Sequence, residues 1–435
     1  MPLRARIVRI VIVAAGILTV LTAFSLGRHV LAHPNYGVQQ NVATWARNKG
    51  LGFAVDRLEM WLHSDAPATA PAASLALDDT PDTSVPDTVP DTTLPATTTA
   101  VATTTTAPVA TTRVPTTTTS TTTTTSTTTT TIPLAPGETT TTVETTTTTT
   151  TLPAPTDVSP VISPALRGEG KWRVLFTLGK TEKQPVVWGM STRPLRRYGS
   201  VVATAAVFDQ SRLRAAMFNG GDVPGRGPWV NSRRVPPRAL RSLVAAFNGG
   251  FRFEHKPGGY MTEGRTVRPM KKGYGTLGID SQGTLHVGVW GEDMGKDGDW
   301  VSLRQNLPPL VTDGRITWTD WKSTDWGTDY GDRMYTFRSG ICRRTDGTLM
   351  FVAVGDVNID MLARTMLQFG CSTGMELDIN GNWPHFSTYT GYGTTERRGR
   401  TLDTRMGDPQ RYLNGYEKDF FALFDPDRLP EGLLR

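Results

Sequence analysis

The chain has 435 residues, with 46 Lys plus Arg against 40 Asp plus Glu, 38% hydrophobic and 8% aromatic content, and only two cysteines, which excludes a disulfide-dense scaffold and any Cys-rich zinc site. The charge divides by position into +5 for residues 1–64, −8 for 65–165 and +9 for 166–435. The basic excess of the last segment is dispersed among acids, so a dedicated nucleic-acid-binding protein is disfavoured and no nucleic-acid partner is expected, while anionic ligands remain open.

Arg4, Arg6 and Arg9 precede a charge-free run from Ile10 to Leu26. Extended to Ile7 and Gly27, with Arg9 snorkelling, the run reaches about 20 residues and about 30 Å as a helix. It predicts a transmembrane helix at 10–27, a signal anchor with residues 1–9 cytoplasmic and everything after Arg28 outside, single-pass in the cell membrane. A cleaved signal peptide, with Val30-Leu31-Ala32 as its cleavage context, is the competing reading. Residues 28–64 form a juxtamembrane amphipathic segment, with Val42, Trp45, Leu51, Val55, Leu58, Trp61 and Leu62 apolar among charges and a break near Gly50-Leu51-Gly52. Trp45 and Trp61 can sit at a membrane interface, or the segment can pack on the distal domain.

Residues 65–165 are dominated by Thr, with Pro, Ala and scattered Asp. Too few large apolar side chains are present to offset chain entropy, so a disordered, acidic tether is expected, with a composition like that of O-glycosylated stalks.

From Lys171 short β-like runs alternate with Gly, Pro, Asn and Asp: Trp172–Leu178, Pro185–Gly189, Val201–Phe208, Leu243–Phe247, Gly275–Ile279, Thr284–Val289, Arg338–Arg343 and Thr348–Val354. A helix over Asn358–Phe369 is clear, with Gly370 as its stop, and a second can run from Pro237 to Ala246. Residues 374–380 alternate strictly. As a strand they point Met375, Leu377 and Ile379 to the core and Glu376, Asp378 and Asn380 to the other face, which is either solvent-exposed or a site. The fold class expected for 166–435 is α+β, a mixed sheet with packed helices.

The candidate chemistry is modest. Asn248-Gly249-Gly250 ends one strand, where backbone N–H groups can turn toward an anion, while Asn219-Gly220-Gly221 reads as a turn. The loop from Trp318 to Tyr335, with Trp321, Trp326 and Tyr330, can stack against sugar rings or pack in the core. Arg338 can pair with a phosphate or with Asp378. Asp356, Asp378 and Asn380 could ligate a hard cation, but none of the six His stands in a metal motif, and no metal and no cofactor is expected. GxSxG, Walker and dinucleotide motifs are missing. Cys342 and Cys371, 29 positions apart, can join in an oxidising compartment or remain buried thiols.

In order along the chain stand Ala246-Phe247-Asn248-Gly249-Gly250-Phe251, Gly275-Thr276-Leu277-Gly278-Ile279-Asp280, Asp313-Gly314, Arg338-Ser339-Gly340-Ile341 and Met375-Glu376-Leu377-Asp378. Together they resemble the phosphodiester glycosidase domain family over roughly Leu243 to Pro384, and the carboxyl end looks like an actinobacterial branch. The resemblance implies hydrolysis of the bond between a sugar's anomeric carbon and a phosphodiester. It matches Asp378, Asn248, Gly249 and Arg338 to the family's motif positions, which implies Asp378 as the catalytic carboxylate; from the residues themselves, Glu376 is an acid/base candidate, and Gly250, Asn380 and Trp326 are expected toward substrate. Where the family continues Leu-Asp-Gly-Gly-Gly-Ser, this chain reads Leu377-Asp378-Ile379-Asn380-Gly381-Asn382, without the glycine-rich turn and its Ser. The function expected is a membrane-tethered extracellular hydrolase of sugar phosphodiesters in cell-envelope glycans; the alternative is a non-catalytic module binding carbohydrate or wall polymer from a stalk.

Overall fold

The computed structural model describes residues 3–32, 37–77, 125–133, 139–147, 152–179, 181–321 and 334–435, without the side chains of 3–15 and of the strands between 125 and 147. The chain divides into two units, Met1–Asp78 with Leu152–Arg435, and Asp79–Thr151. In the smaller unit Thr125–Pro133 pairs antiparallel with Thr139–Thr147.

The larger unit is built mostly from three antiparallel sheets, which corrects the α+β expectation. The first has eight strands, in spatial order 315–316, 311–312, 371–379, 336–344, 349–357, 203–208, 184–192 and 173–178. The second orders 398–401, 386–390, 243–248, 420–424 and 214–218, and the third orders 285–289, 275–280, 300–305, 260–262 and 265–268. Closely spaced Gly and Asp turns let neighbouring runs pair directly, which leaves little chain for helices. One α-helix of the sheet region is longer than four residues among the described residues: Ile359–Gln368, capped by the Asn358 side chain, which accepts from Met361 N–H at 2.9 Å. Strands Leu349–Val357 and Cys371–Ile379 both run antiparallel to Thr336–Arg344 between them, so they are parallel to each other. The helix is the crossover that returns the chain to the same end. Pro237–Ser242 is a short 3-10 helix, and the strand takes over at Leu243, where Val244 and the following residues fill the sheet.

A core common to all three sheets holds Phe208, Phe351, Phe247, Phe386, Phe421, Leu277 and Ile279. Phe247 stacks on Phe421 at 5.4 Å and Phe386 at 6.1 Å and tilts against Phe351 at 5.9 Å. The helix Ile359–Gln368 covers the opposite face of the large sheet through Ile359, Leu362 and Met366. There Cys342 and Cys371 are disulfide-bonded, with Cα atoms 5.7 Å apart.

The amino-terminal expectations need correction. Leu3–Ala32 is helical, yet among the described residues no helix is long and apolar enough to cross a membrane. Its described side chains run from Gly16 to Ala32 and include Arg28 and His29. The transmembrane helix at 10–27 is therefore not supported, nor is the single-pass location drawn from it. Helices Val38–Ala46 and Gly52–Leu62 flank a kink at Gly50, whose φ is +81°. Arg47 bridges Asp56 and Glu59 across it at 2.8 Å each, and Trp45 donates to Ser25 of the first helix at 3.1 Å. Within the stretch read as a tether, Ala68, Thr69 and Ala72 hydrogen-bond Ser200 and Gly199, and Leu77 bridges Asp403, so these residues belong to the folded unit.

Candidate active site

Asp378 lies next to the end of the strand Cys371–Ile379, where both faces are covered by protein, so Glu376 and Asp378 are each 2% exposed. The open face that alternation allowed is therefore closed. Glu376 accepts from Arg338 Nη1 at 2.7 Å. The same guanidinium donates from Nε to Val357 O at 2.8 Å and from Nη2 to Met334 O at 2.9 Å, so Arg338 holds Glu376 and two strand ends rather than Asp378. Burial pushes the Glu376 carboxyl up, and Arg338 opposes it.

Asp378 is held differently. Its Oδ2 takes a hydrogen bond from Lys418 Nζ, its Oδ1 accepts from Ile379 N–H at 3.0 Å, and its own N–H donates to Ser339 Oγ at 3.2 Å. Asn248 Nδ2 lies 3.1 Å from the same Ser339 Oγ, so a chain Asn248–Ser339–Asp378 ties three strands at one point. Desolvation pushes the Asp378 carboxyl up to about 6, Lys418 pulls it down, and the neighbouring Asp419 adds like-charge repulsion. Lys418, 3% exposed, is pushed below its ordinary value, first by burial. Both partners are thus biased toward their neutral forms, because the interior solvates neither charge well.

The Asn248-Gly249-Gly250 turn is engaged within the protein. Asn248 Oδ1 accepts from His385 N–H at 2.9 Å, and Gly249 N–H donates to Asp419 O at 2.9 Å. A Cβ at Gly249 would collide with Asp419, and one at Gly250 would crowd Arg304 and Asn306 at 3.0 Å, so the glycines allow close approach of a second carboxylate–arginine pair. In that pair Arg304 Nε donates to Asp419 Oδ2 at 2.8 Å, with both side chains fully buried. Asn380 takes a positive φ of 82°, and its Oδ1 accepts from Asn382 N–H at 3.0 Å, so it shapes the turn where the family has glycines.

Sequence reading missed Lys418, Asp419, Trp383 and the tyrosines Tyr412 and Tyr416. Lys418 Nζ lies 4.5 Å from the centroid of the Trp383 ring, over which Arg252 also sits at 5.5 Å. Tyr412 and Tyr416 meet edge-on at 5.2 Å, and both feel the charge of Asp378. The only signal was the run Glu417-Lys418-Asp419 before an apolar strand. The second turn, at Asn219, is structural: its side chain bonds Thr262 at 3.0 Å and takes the Tyr260 hydroxyl at 2.8 Å. Trp318 and Trp321 pack against the helix-side core, while Trp326 and Tyr330 lie outside the described residues. Asp356 is exposed, and among the described residues no group of three or more His, Cys, Asp or Glu is placed to hold a metal.

A family model described as phosphodiester glycosidase matches residues 241–378. No curated protein sequence matches the chain. Among solved structures, one similar chain is the zebrafish N-acetylglucosamine-1-phosphodiester alpha-N-acetylglucosaminidase catalytic domain auto-inhibited by pro-peptide, at 15% identity over 63% of this chain and 96% of that one, with a TM-score of 0.38. A hypothetical protein from Synechocystis follows at 12% identity, 55% and 62% coverage and a TM-score of 0.36. A Burkholderia pseudomallei exported protein has 11% identity, 54% and 76% coverage and a TM-score of 0.32. At these scores the structural likenesses carry no inference about this chain. The match of the family model spans the motifs from the Asn248 turn to Asp378.

Proposed function

We propose that the chain hydrolyses the bond between a sugar's anomeric carbon and a phosphodiester, with Asp378 as the carboxylate that acts at the anomeric centre. The observation that carries this reading is the buried Asp378–Lys418 pair at the end of the matched segment. A carboxylate raised to about 6 is mostly ionised at neutral pH, yet poorly solvated, which suits stabilising an oxocarbenium-like centre or activating water. An entering phosphodiester competes with Asp378 for the Lys418 ammonium. As Lys418 turns to the phosphate, the Asp378 oxygen is released toward the sugar. A phosphodiester leaves as a weak base, so little proton donation is required, and one carboxylate suffices. Glu376 supports the strand through Arg338, and Asn248 positions Ser339 behind Asp378. The substrate class proposed is the sugar phosphodiesters of envelope glycans.

The test is hydrolysis of p-nitrophenyl-linked sugar phosphodiesters by the full chain and by Asp378→Asn, with circular dichroism to verify folding. Turnover that falls at least about 100-fold in a folded variant supports the assignment. Wild-type inactivity on the whole panel, with glycan binding retained, would turn the reading to a binding module.

A further inference from the structure

Arg397 lies just beneath the surface after the hairpin turn that leaves the strand Phe386–Thr390, 6% exposed, and its Nε, Nη1 and Nη2 all lack a hydrogen-bond partner. Its guanidinium sits 5.9 Å from the centroid of the Phe176 ring, itself 7% exposed, so a ring face replaces water on one side. A cation–π contact recovers only about 0.5–2 kcal/mol, well below the cost of burying an unpaired cation. The nearby acids are committed elsewhere. Asp425 accepts from the Tyr392 hydroxyl at 2.6 Å, Asp408 accepts from Gln410 N–H at 2.9 Å, and Glu396 is exposed and makes no bond to Arg397. Burial lowers the pKa of Arg397 to about 10, with Tyr392 and Tyr389 opposing the shift. The Tyr389 hydroxyl is likewise fully buried and without a partner. The three guanidinium nitrogens of Arg397 thus have no anion to receive them. The exposed residues Thr394, Thr395 and Glu396 leave the place a short step from solvent.

We propose that Arg397, over Phe176, binds an oxyanion of the phosphate class. The guanidinium fork presents two parallel N–H donors to such an oxyanion. Chloride offers no such bidentate match. The proposal does not depend on the reaction assigned to Asp378.

The experiment is thermal unfolding of the full chain against inorganic phosphate, with sodium chloride at matched ionic strength, for wild type, Arg397→Met and Arg397→Lys. Phosphate at about ten times its Kd raises the wild-type midpoint by roughly 3–6 °C beyond the chloride control. Arg397→Met, which removes an unpaired buried charge, folds with a midpoint at least equal to wild type in phosphate-free buffer and shows no phosphate shift. Arg397→Lys keeps the charge without the fork and loses at least half of the shift. Dimethyl phosphate as a second titrant separates sources: an Arg397-dependent shift assigns a phosphodiester group, and a shift with inorganic phosphate alone assigns the free ion. A phosphate shift retained in Arg397→Met, an equal shift with chloride, or no shift in wild type would each overturn the proposal.

Discussion

Replacing Lys418 with Met removes the counter-charge of Asp378 while keeping most of the buried volume. Lys418 and Asp378 are each about as buried as the core residues around them, at 3% side-chain exposure. Breaking such a pair from one side leaves an uncompensated charge, at about 3–5 kcal/mol near pH 7. For a domain of this size that corresponds to roughly 6–15 °C in Tm. The cost depends on pH with a defined sign. The Asp378 carboxyl is raised from an unfolded value of about 3.9 to about 6, so its protonated form favours folding. That contribution is full below pH ~4 and is lost as pH rises through about 6. At pH 5 the carboxyl is largely protonated before the substitution, and Lys418→Met then costs under about 1 kcal/mol. Urea unfolding of Lys418→Met, Asp378→Asn and the double variant at pH 5 and pH 7 completes the cycle, with the double variant recovering at least about 2 kcal/mol of the summed single losses at pH 7. Additive losses, or a Lys418→Met cost that does not change between the two pH values, would refute a coupled buried pair.

Three further outcomes follow from the same geometry. Phe247→Ala, which empties the place where rings from two sheets converge, lowers stability by about 3–5 kcal/mol in denaturant unfolding, and a loss under about 1 kcal/mol would mean the rings close over the gap. Reduction of the Cys342–Cys371 disulfide, which closes a loop of sequence separation 29, lowers stability by at most about 3 kcal/mol, read as a Tm difference with and without reductant. The kcat/KM for a sugar phosphodiester rises with pH through about 6 as Asp378 ionises, and a rate that falls with pH over that limb would assign it the role of an acid instead.

The strands were legible because their signal is local. Leu243–Asn248, Gly275–Asp280 and Leu349–Val357 are continuous apolar runs bounded by turn residues, and they stand in the structure within a few positions of their expected limits. The class of the fold was less legible: one amphipathic helix suggested layers of helices, whereas its task is a single crossover between strands flanking Thr336–Arg344. Alternation in residues 374–380 marked the strand but left its second face open between solvent and a site. A central strand of an eight-stranded sheet, covered by the Arg304–Asp419 layer on one side and the helix on the other, has no open face, and period-two patterning cannot distinguish a polar face turned to water from one turned to buried partners.

The partner of Asp378 escaped for a different reason. Lys418 stands 40 positions beyond Asp378 and just beyond a Gly-Tyr-Glu loop, where a lysine ordinarily signals solvent. It is buried because Phe420–Phe424 enters the second sheet between Leu243–Asn248 and Arg214–Phe218, which draws the two residues before it under the first sheet. Asp419 meets Arg304 and Gly249 there, and Lys418 meets Asp378. The glycine that prevents a clash at Asp419 is the same Gly249 that looks, in sequence, like an anion-binding turn. In this chain the Asn-Gly-Gly motif acts by admitting the carboxyl-terminal strand to close contact. The candidate site is therefore completed from outside the segment that carries the family's motifs, and substitutions at Lys418 test it more sharply than substitutions within the turn.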